Sequence, residues 1–232
     1  MQLRKLLSTF FSILLCITII NVKADGAITF NKPVYNSNVN EGKKIALTFD
    51  DGPHPRRTPE IVNILDKYDI KATFFVIGVN VKNYPETMNV VMQRGHEIAN
   101  HTYSHNVLKD MDTGEIFKEI FNTEAEISKL DGKSSNLIRP PCGLYGQGLV
   151  DYAIENDYKI VLWNIDTHDW AHESSECIVK NVLTNVKGGD IILFHDYTSG
   201  ENNTPQALNI LIPKLKALGY EFVTVSQLLQ DI

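Results

Sequence analysis

The amino-acid sequence predicts an α/β protein that folds as a distorted (β/α) barrel of about seven parallel strands, similar in architecture to a TIM barrel. Two observations lead to this prediction. Strand-like and helix-like segments alternate along the chain with short links, and such alternation requires parallel strands joined by crossover helices. Polar residues also follow many of the strands, which favours the single mouth of a barrel over the local switch point of an open sheet.

The first predicted elements have clear local signals. Apolar and polar residues alternate from Lys44 to Phe49, which is the period of a strand. Thr58 and Pro59 then supply a capping hydroxyl and a proline at the first helical position. The next segment, Ala72–Ile77, is a short apolar run that suits a strand buried on both faces.

The rest of the chain repeats this alternation. Further strands are predicted at 96–100, 137–139, 159–164, 190–194 and 220–223. Further helices are predicted at 85–94, 114–130, 147–156, 174–186 and 205–218, with a short helical tail from Val225. The polar residues at or just after the predicted strand ends are Asp50, Asp51, His101, Arg139, Asp166, Asp169 and His195.

The composition is that of one ordinary folded domain. The chain has 232 residues, of which 43% are hydrophobic and 22% charged, and this excludes disordered and fibrous proteins. The formal net charge is −6. A negative charge disfavours nucleic acid and anionic membrane surfaces as partners. We expect the domain to be a monomer.

The first 24 residues have the pattern of a secretory signal peptide. Arg4 and Lys5 precede the apolar stretch Leu6–Ile20, which ends shortly before a small residue. A lipidated Cys16 is disfavoured because Leu15 before it is bulky. An uncleaved anchor is an alternative, since the apolar stretch is close to the minimum length of a spanning helix. Both interpretations place the domain outside the cytoplasm, either secreted or in the periplasm or cell envelope.

The chain is therefore predicted to have three parts. Residues 1–24 are a signal peptide, residues 25–43 are a polar lead-in, and residues 44–232 are the folded domain. The sequence contains no internal repeat or linker that would split this domain.

Cysteine usage excludes a thiolate metal site. Beyond the leader the chain has Cys142 and Cys177, and no Cys-x-x-Cys motif exists. Any bound metal must therefore use histidine and carboxylate ligands. An exported protein can form a disulfide between these two cysteines, but we expect two separate buried thiols.

Two adjacent carboxylates, Asp50 and Asp51, stand where the first predicted strand ends in a turn. Neighbouring side chains on extended backbone point to opposite sides, so we expect the two carboxylates to have different roles. The alternative is an ordinary Asp-Gly turn in which the carboxylate only caps the next element.

His101 and His105 are four positions apart, the spacing that puts two imidazoles on one side of a helical turn. Alone, the pair could be a solvated helix face. Together with Asp51 it makes a three-ligand site with open positions, the arrangement of a catalytic metal. Zinc suits nitrogen and oxygen ligands best, and the same set could hold iron, cobalt or nickel.

Two further segments complete the candidate site. Arg139 follows a strand, where its planar guanidinium can pair with a carboxylate; the alternative is a solvated surface arginine. His195 follows a strongly apolar strand and is better placed as an acid or base than as a core histidine. His96 and His172 are interpreted as structural or solvated.

Together these segments resemble the polysaccharide deacetylase family, the NodB homology domain of carbohydrate esterase family four. The motifs occur in the family's order and extend over about residues 44 to 225. They are Thr48–Pro53, His101–His105, Arg139–Gly143, Asp166–Trp170 and Leu193–His195.

The resemblance implies a metal-dependent enzyme. Its metal ligands would be Asp51, His101 and His105. Asp50 would be the general base with Arg139 as its partner, and His195 the general acid oriented by Asp169. Cys142 stands where the family commonly has an aromatic residue; it would give its backbone N–H to the oxyanion, and its side chain changes the adjacent sugar pocket. Substrate contacts would come from Cys142, Tyr145 and Trp170, with Trp163 either facing a sugar or packing in the interior.

The function implied by this resemblance is removal of N-acetyl groups from N-acetylglucosamine units of an extracytoplasmic polymer, chitin-like or peptidoglycan. An O-acetyl esterase acting on xylan or another glycan is the alternative within the class. An iron oxygenase also uses two histidines and one carboxylate, but it would leave Asp50, Arg139 and His195 without roles. A non-catalytic carbohydrate-binding module has little use for an acid, a base and a metal together.

Overall fold

A computed structural model describes residues 33–39, 41–200 and 202–230 of the chain. The predicted signal peptide at 1–24 and the first part of the predicted lead-in lie outside these residues. Among the helices that are described, none combines the length and the apolar character needed to cross a bilayer.

Nine short strands form one sheet within the described residues. They are β1 (Val34–Tyr35), β2 (Lys44–Asp50), β3 (Thr73–Val76), β4 (Glu97–Asn100), β5 (Leu137–Ile138), β6 (Lys159–Val161), β7 (Ile165–Asp166), β8 (Ile191–His195) and β9 (Glu221–Phe222). Their order is β1-β6-β5-β4-β3-β2-β8-β7, with β9 paired to β2. All pairings between these strands are parallel, so their carboxyl ends meet at one end of the sheet.

Helices connect the strands and cover the outside of the sheet. They are α1 (Arg57–Lys67), α2 (Gly78–Asn83), α3 (Pro85–Gln93), α4 (Thr113–Ser128), α5 (Gln147–Glu155), α6 (Ser175–Asn185), α7 (Thr204–Ala217) and α8 (Val225–Leu228). Two 3₁₀ turns, Pro141–Gly143 and Asp169–Ala171, follow β5 and β7.

The strand order shows how the sheet curls into a barrel. β6 and β7 are consecutive in the chain, yet they lie near opposite ends of the strand order. In the link between them, the N–H of Leu162 donates to the Tyr35 carbonyl at 2.7 Å and that of Asn164 to the Ile191 carbonyl at 3.2 Å. The prediction of a distorted (β/α) barrel is confirmed, and the single predicted strand at 159–164 is corrected to two strands.

Two elements, β1 and α2, are not predicted by any local pattern. β1 has two residues and pairs with β6 at the edge of the sheet. α2 has six residues and follows β3 directly. Segments of this length are too short to show a hydrophobic period, so only the packed structure reveals them.

The core lies on both faces of β2. Ile45, Leu47 and Phe49 point outward into a large cluster formed with α1, α3, α6 and α7. Ala46 points inward and belongs to a smaller cluster that fills the barrel. This double burial explains the strongly apolar character of the central strands.

The amino-terminal end of the barrel is closed by α8. Val225 and Leu228 are fully buried in the interior cluster. The N–H of Val225 donates to Thr73 Oγ1 at 2.9 Å, and the N–H of Ser226 donates to a carboxylate oxygen of Glu97 at 3.2 Å. Thr73 and Glu97 begin β3 and β4, so α8 seals the end opposite to the strand carboxyl ends.

Candidate active site

Most of the predicted site residues line one cavity at the carboxyl ends of the strands. This cavity has a volume of about 390 Å³. It is lined by Asp50, Asp51, His101, His105, Cys142, Trp163, Asp166, Trp170, Leu193 and His195. Because strands β2, β4, β7 and β8 all end there, side chains that are far apart in the sequence become neighbours.

Asp51, His101 and His105 form a compact trio that could hold a metal ion. One ligand atom from each residue lies within 4.8 Å of the other two. Asp51 Oδ1 is 3.1 Å from His105 Nε2 and 3.4 Å from His101 Nε2. Among the described residues, this buried oxygen has no hydrogen-bond partner. A buried carboxylate oxygen facing two imidazole nitrogens fits a divalent cation that accepts mixed nitrogen and oxygen ligands.

The trio is also electrostatically suited to a cation. Burial would raise the pKa of the Asp51 carboxyl, but the imidazoles of His101 and His105 hold it well below its usual range. The contact with Asp51 raises the pKa of His105 in turn, against the effect of burial. The site therefore keeps its carboxylate ionised.

The prediction that His101 to His105 form a turn of helix is wrong. These residues form a loop, in which Thr102 has φ 69° and His105 has φ 59°. Both angles lie in the left-handed region, which is incompatible with a right-handed helical turn. The two imidazoles nevertheless meet, with ring centroids 5.1 Å apart, because the loop folds back on itself.

The ring of His101 is oriented by a contact at the nitrogen that does not face Asp51. Its Nδ1 atom lies 2.7 Å from the carbonyl oxygen of Arg139. A donor N–H at Nδ1 leaves Nε2 as the lone-pair atom that faces Asp51, and this is how proteins commonly fix the tautomer of a ligating histidine.

The prediction that Asp50 and Asp51 point to opposite sides is also wrong. Both carboxylates line the cavity, and Asp50 Oδ2 lies 3.8 Å from the same His101 Nε2 that approaches Asp51. The reason is that Asp51 has φ 76°, so the backbone is not extended at this position. The two carboxylates do have different partners, as the next contacts show.

Asp50 is paired with Arg139 in the interior of the barrel. Arg139 Nη1 donates to Asp50 Oδ1 at 2.7 Å and to Thr48 Oγ1 at 2.8 Å. Other guanidinium N–H groups donate to the carbonyls of Val161 at 3.2 Å and Leu162 at 3.1 Å. Arg139 is fully buried rather than solvated. Burial lowers its pKa from the ordinary value, and the Asp50 carboxylate opposes that shift.

His195 is held by Asp169. Its Nδ1 atom lies 2.8 Å from Asp169 Oδ1, and its backbone N–H donates to Asp169 Oδ2 at 2.8 Å. Thr204 Oγ1 also donates to Oδ2 at 2.6 Å. Burial works against a charged imidazole here, but the hydrogen bond and the charge of Asp169 raise the pKa of His195 to about 9.

The predicted substrate contacts differ in position. Cys142 and Trp170 line the cavity, and the indole N–H of Trp170 donates to Asp166 at 3.3 Å. Trp163 is half-buried and also lines the cavity. Tyr145 instead packs against the apolar cluster between α4 and α5 and is not part of the cavity wall.

The two cysteines are separate, as predicted, but both are exposed rather than buried. Cys142 has φ 57° in the turn after β5, and Cys177 lies in the first turn of α6. The predicted burial was wrong because Cys142 lies in a turn at the surface and Cys177 lies on the exposed side of α6.

Asp196 is a buried residue at the site that the sequence analysis overlooks. Thr58 Oγ1 donates to its Oδ2 at 2.5 Å, and burial raises the pKa of its carboxyl to about 7. A side chain at Gly52 would collide with this carboxylate. Asp196 therefore supports the turn after β2 from behind. Its place directly after His195 was the available sequence signal, but the distant partner Thr58 could not be read from it.

The fold and this cavity identify the class of protein. The family model for polysaccharide deacetylases matches residues 37–161, and the chain belongs to this family. A curated relative, a peptidoglycan-N-acetylglucosamine deacetylase of Bacillus cereus, is 39% identical over 88% of this chain and 94% of its own length.

Solved structures show the same likeness. A peptidoglycan N-acetylglucosamine deacetylase crystallised with a substituted benzamide has a TM-score of 0.82 and 36% identity, over 85% of this chain and 92% of that one. An acetyl xylan esterase of Clostridium thermocellum, solved with a cobalt ion, has a TM-score of 0.75 and 36% identity, over 81% and 91% of the two chains.

Proposed function

We propose that this protein is a metal-dependent deacetylase that hydrolyses N-acetyl groups on N-acetylglucosamine units of an extracytoplasmic polysaccharide, with peptidoglycan as the first candidate and chitin-like polymers as the second. One observation carries the proposal. The trio Asp51, His101 and His105, the Asp50–Arg139 pair and the Asp169–His195 pair all meet at one cavity. Amide hydrolysis needs each of these parts.

The trio would hold the metal, and zinc is the ion we propose because two imidazoles and one carboxylate with open positions are typical of catalytic zinc. A bound divalent ion supplies Lewis acidity toward the acetyl carbonyl and the attacking water. Cobalt and nickel are the alternatives, and a cobalt ion is present in the related esterase structure.

Asp50 is suited to take a proton from the attacking water. Its Oδ1 is occupied by Arg139 at 2.7 Å, whereas Oδ2 faces the trio, 3.8 Å from His101 Nε2. Because the guanidinium engages only Oδ1, Oδ2 is available as a base at the side where the water would lie.

His195 is suited to protonate the departing amine. Its Nδ1 is engaged by Asp169, so the second ring nitrogen is left for the cavity that His195 lines. A pKa of about 9 keeps the imidazole protonated at neutral pH. An amine leaves poorly unless it receives a proton, so this acid has a specific purpose in amide hydrolysis.

The cavity walls would bind the sugar. The indole of Trp170 is 51% exposed and presents an aromatic surface at the mouth, with Trp163 deeper in the wall. The backbone N–H of Cys142 is proposed as an oxyanion donor, since this residue lies in the turn that borders the cavity. Tyr145, packed away from the cavity, is the weakest of the proposed substrate contacts.

Residues 1–24 are proposed to direct export and residues 44–232 to form the deacetylase domain. Residues 25–43 are proposed to link the leader to the domain, with β1 at Val34–Tyr35 pairing at the edge of its sheet. A location in the periplasm, in the cell envelope or outside the cell is supported by relatives named for peptidoglycan substrates. We also propose that the protein is a monomer. Membrane attachment would follow only if the leader stays uncleaved.

The proposal is tested by measuring acetate release from peptidoglycan, chitooligosaccharides and acetylated xylan side by side. We expect release from one of the N-acetylated substrates, loss of activity with a chelator, and recovery with zinc. Faster release from acetylxylan would favour the O-acetyl esterase, which the likeness to the xylan esterase keeps as the second candidate. No release from any of the three substrates would contradict both.

A further inference from the structure

We propose that Glu119 is a positioning residue that holds the loop carrying His101 and His105. Its Oε2 atom accepts the backbone N–H groups of Tyr103 and Ser104, each at 2.9 Å. Its Oε1 atom accepts the hydroxyl of Ser104 at 2.7 Å. One carboxylate thus satisfies three donors between the two histidines.

The loop needs an external acceptor because its backbone cannot satisfy itself. With Thr102 at φ 69° and His105 at φ 59°, the loop does not form the hydrogen bonds of a helical turn. Left-handed backbone at a β-branched residue such as Thr102 also costs on the order of 1–3 kcal/mol. The surrounding structure must therefore impose this conformation.

Contacts on the other side of the loop are also present. The N–H groups of Gly78 and Val79 donate to the carbonyls of Thr102 and Tyr103, at 3.0 and 2.9 Å. These bonds fix the loop's carbonyl groups, whereas Glu119 fixes its N–H groups. The carboxylate completes a clamp in which both polar sides of the loop are held.

The helix that presents Glu119 is itself fastened to the site. Asn100, the last residue of β4, donates through Nδ2 to the carbonyl of Ile120 at 3.0 Å and to Glu124 at 2.8 Å. Its Oδ1 accepts the N–H of Thr102 at 2.9 Å. α4 is therefore a platform tied to the strand end from which His101 starts.

The effect should fall mainly on His105. His101 is oriented separately by the Arg139 carbonyl, whereas the contact that holds the His105 backbone is within the clamped loop itself, from its N–H to Thr102 Oγ1 at 3.1 Å. Outer contacts that orient metal ligands contribute about 10- to 100-fold in metal affinity. We expect an effect of this size when the clamp is removed.

The inference rests on the part of the proposed function in which the trio binds a metal. The test measures the affinity of the metal-free protein for Zn²⁺ by competition with a chelator, and the visible spectrum with Co²⁺. Glu119→Gln removes the charge but keeps the length of the side chain. Its amide oxygen can accept the N–H groups of Tyr103 and Ser104, while its NH₂ donates to Ser104 Oγ. Glu119→Asp keeps the charge and loses the reach.

We expect Glu119→Ala and Glu119→Asp to weaken metal binding by about 10- to 100-fold and to alter the Co²⁺ spectrum. Glu119→Gln should stay within about three-fold of wild type. Glu126→Ala is the matched control, since Glu126 lies two turns further along α4, carries the same charge and pairs only with the exposed Lys129 at 2.8 Å among the described residues. Its affinity should not change.

If Glu119→Gln and Glu119→Ala weakened metal binding equally, the negative charge of Glu119 would act on the metal at a distance, and the inference would fail. Unchanged affinity in Ala and Asp would also overturn it. If Ala does not fold, the Gln and Asp variants alone decide between reach and charge. Because the readout is metal affinity, a wild type that binds metal but releases no acetate would refute the proposed function and leave this inference standing.

Discussion

The two ends of the barrel handle buried polar groups in opposite ways. At the carboxyl end, Arg139 and Asp50 form a buried ion pair, and Asp169 and His195 form a second pair. At the amino end, the apolar side chains of α8 fill the opening, and the buried titratable side chains His96 and Asp190 have uncharged hydrogen-bond partners instead of an oppositely charged one.

His96 shows how the amino end tolerates a polar ring. Its Nδ1 accepts the N–H of Ala72 at 3.3 Å, and the ring packs edge-on against Phe74 with centroids 5.3 Å apart. Burial lowers the pKa of His96 to about 4. His96 and His172 were both predicted to be structural or solvated; His96 is buried and His172 is exposed.

This difference shows where in the fold burial of polar groups lowers the free energy of unfolding. Buried charges cost several kcal/mol each in desolvation, and at the carboxyl end Arg139 and His195 offset this cost for the carboxylates of Asp50 and Asp169. The amino end and the outer helices carry the apolar packing that offsets this cost. Changes at the two ends should therefore have different consequences.

The largest effect is expected from removing the metal ligands. The double variant His101→Ala/His105→Ala should lose metal affinity by far more than the 10- to 100-fold typical of outer contacts, because two of three ligands are gone. Metal content after dialysis measures this, with circular dichroism as the control for folding. Full metal occupancy in the double variant would refute the assigned trio. Global unfolding of the variant would show that a change at the carboxyl end also destabilises the rest of the barrel.

Breaking the buried pair should cost stability. Arg139→Met leaves Asp50 charged, buried and without its cation, so we expect the free energy of unfolding to fall by about 3–5 kcal/mol. Urea denaturation measures the change. The double variant Asp50→Asn/Arg139→Met is the control and should recover part of the loss. A loss below about 1 kcal/mol would mean that water reaches Asp50.

At the amino end, stability should depend on pH through His96. The folded state holds this ring neutral down to about pH 4, whereas an unfolded histidine takes up a proton near pH 6.5. The free energy of unfolding should therefore fall as the pH drops from 6.5 to 4, by at most about 3 kcal/mol. His96→Asn keeps an acceptor for Ala72 and should lose this dependence; identical pH slopes for the two proteins would contradict the assignment.

The role of Asp50 is tested without disturbing the trio. Asp50→Asn should retain metal and lose turnover by about 10²-fold or more, the usual range for a positioned general base. Asp51→Asn is the matched neighbour and should lose metal instead. The reverse pattern, metal lost with Asp50→Asn and kept with Asp51→Asn, would exchange the roles of the two carboxylates.

The smallest effect is a difference between substrates. An amine needs protonation to leave, whereas an activated ester such as nitrophenyl acetate needs little help. His195→Ala should therefore lower kcat/KM for a chitooligosaccharide about ten-fold more than for the ester, with normal metal content. Equal losses on both substrates would show that His195 acts before the leaving-group step.

Much of this protein could be predicted from sequence because its chemistry is encoded locally. Several reactive side chains lie at or just after the ends of short strand-like segments, so strand periodicity already indicates the end of the barrel at which Asp50, His101 and His195 meet. The motif order around these residues then indicated the family, which the family model confirms.

Backbone geometry at single residues was decided by tertiary contacts. Asp51, Thr102 and His105 all adopt left-handed φ angles, which the strand and helix patterns of the sequence do not predict at these positions. Those angles reverse two predictions, the opposed carboxylates and the helical histidine pair, although the predicted metal trio still meets. Sequence spacing says which residues are near each other but not how the chain turns between them.

The supporting contacts were also invisible in the sequence, because they join residues from separate elements. Glu119 lies in α4, whereas the loop it clamps follows β4. Asp196 accepts a hydrogen bond from Thr58, which is 138 residues away in the sequence. From sequence alone, a carboxylate on a helix is predicted to be solvated. Only the packed structure shows which hydrogen bonds it accepts. The sequence determined the reactive groups by their residue types and positions, whereas the tertiary structure decided how they are held, because long-range hydrogen bonds form only once the barrel has closed.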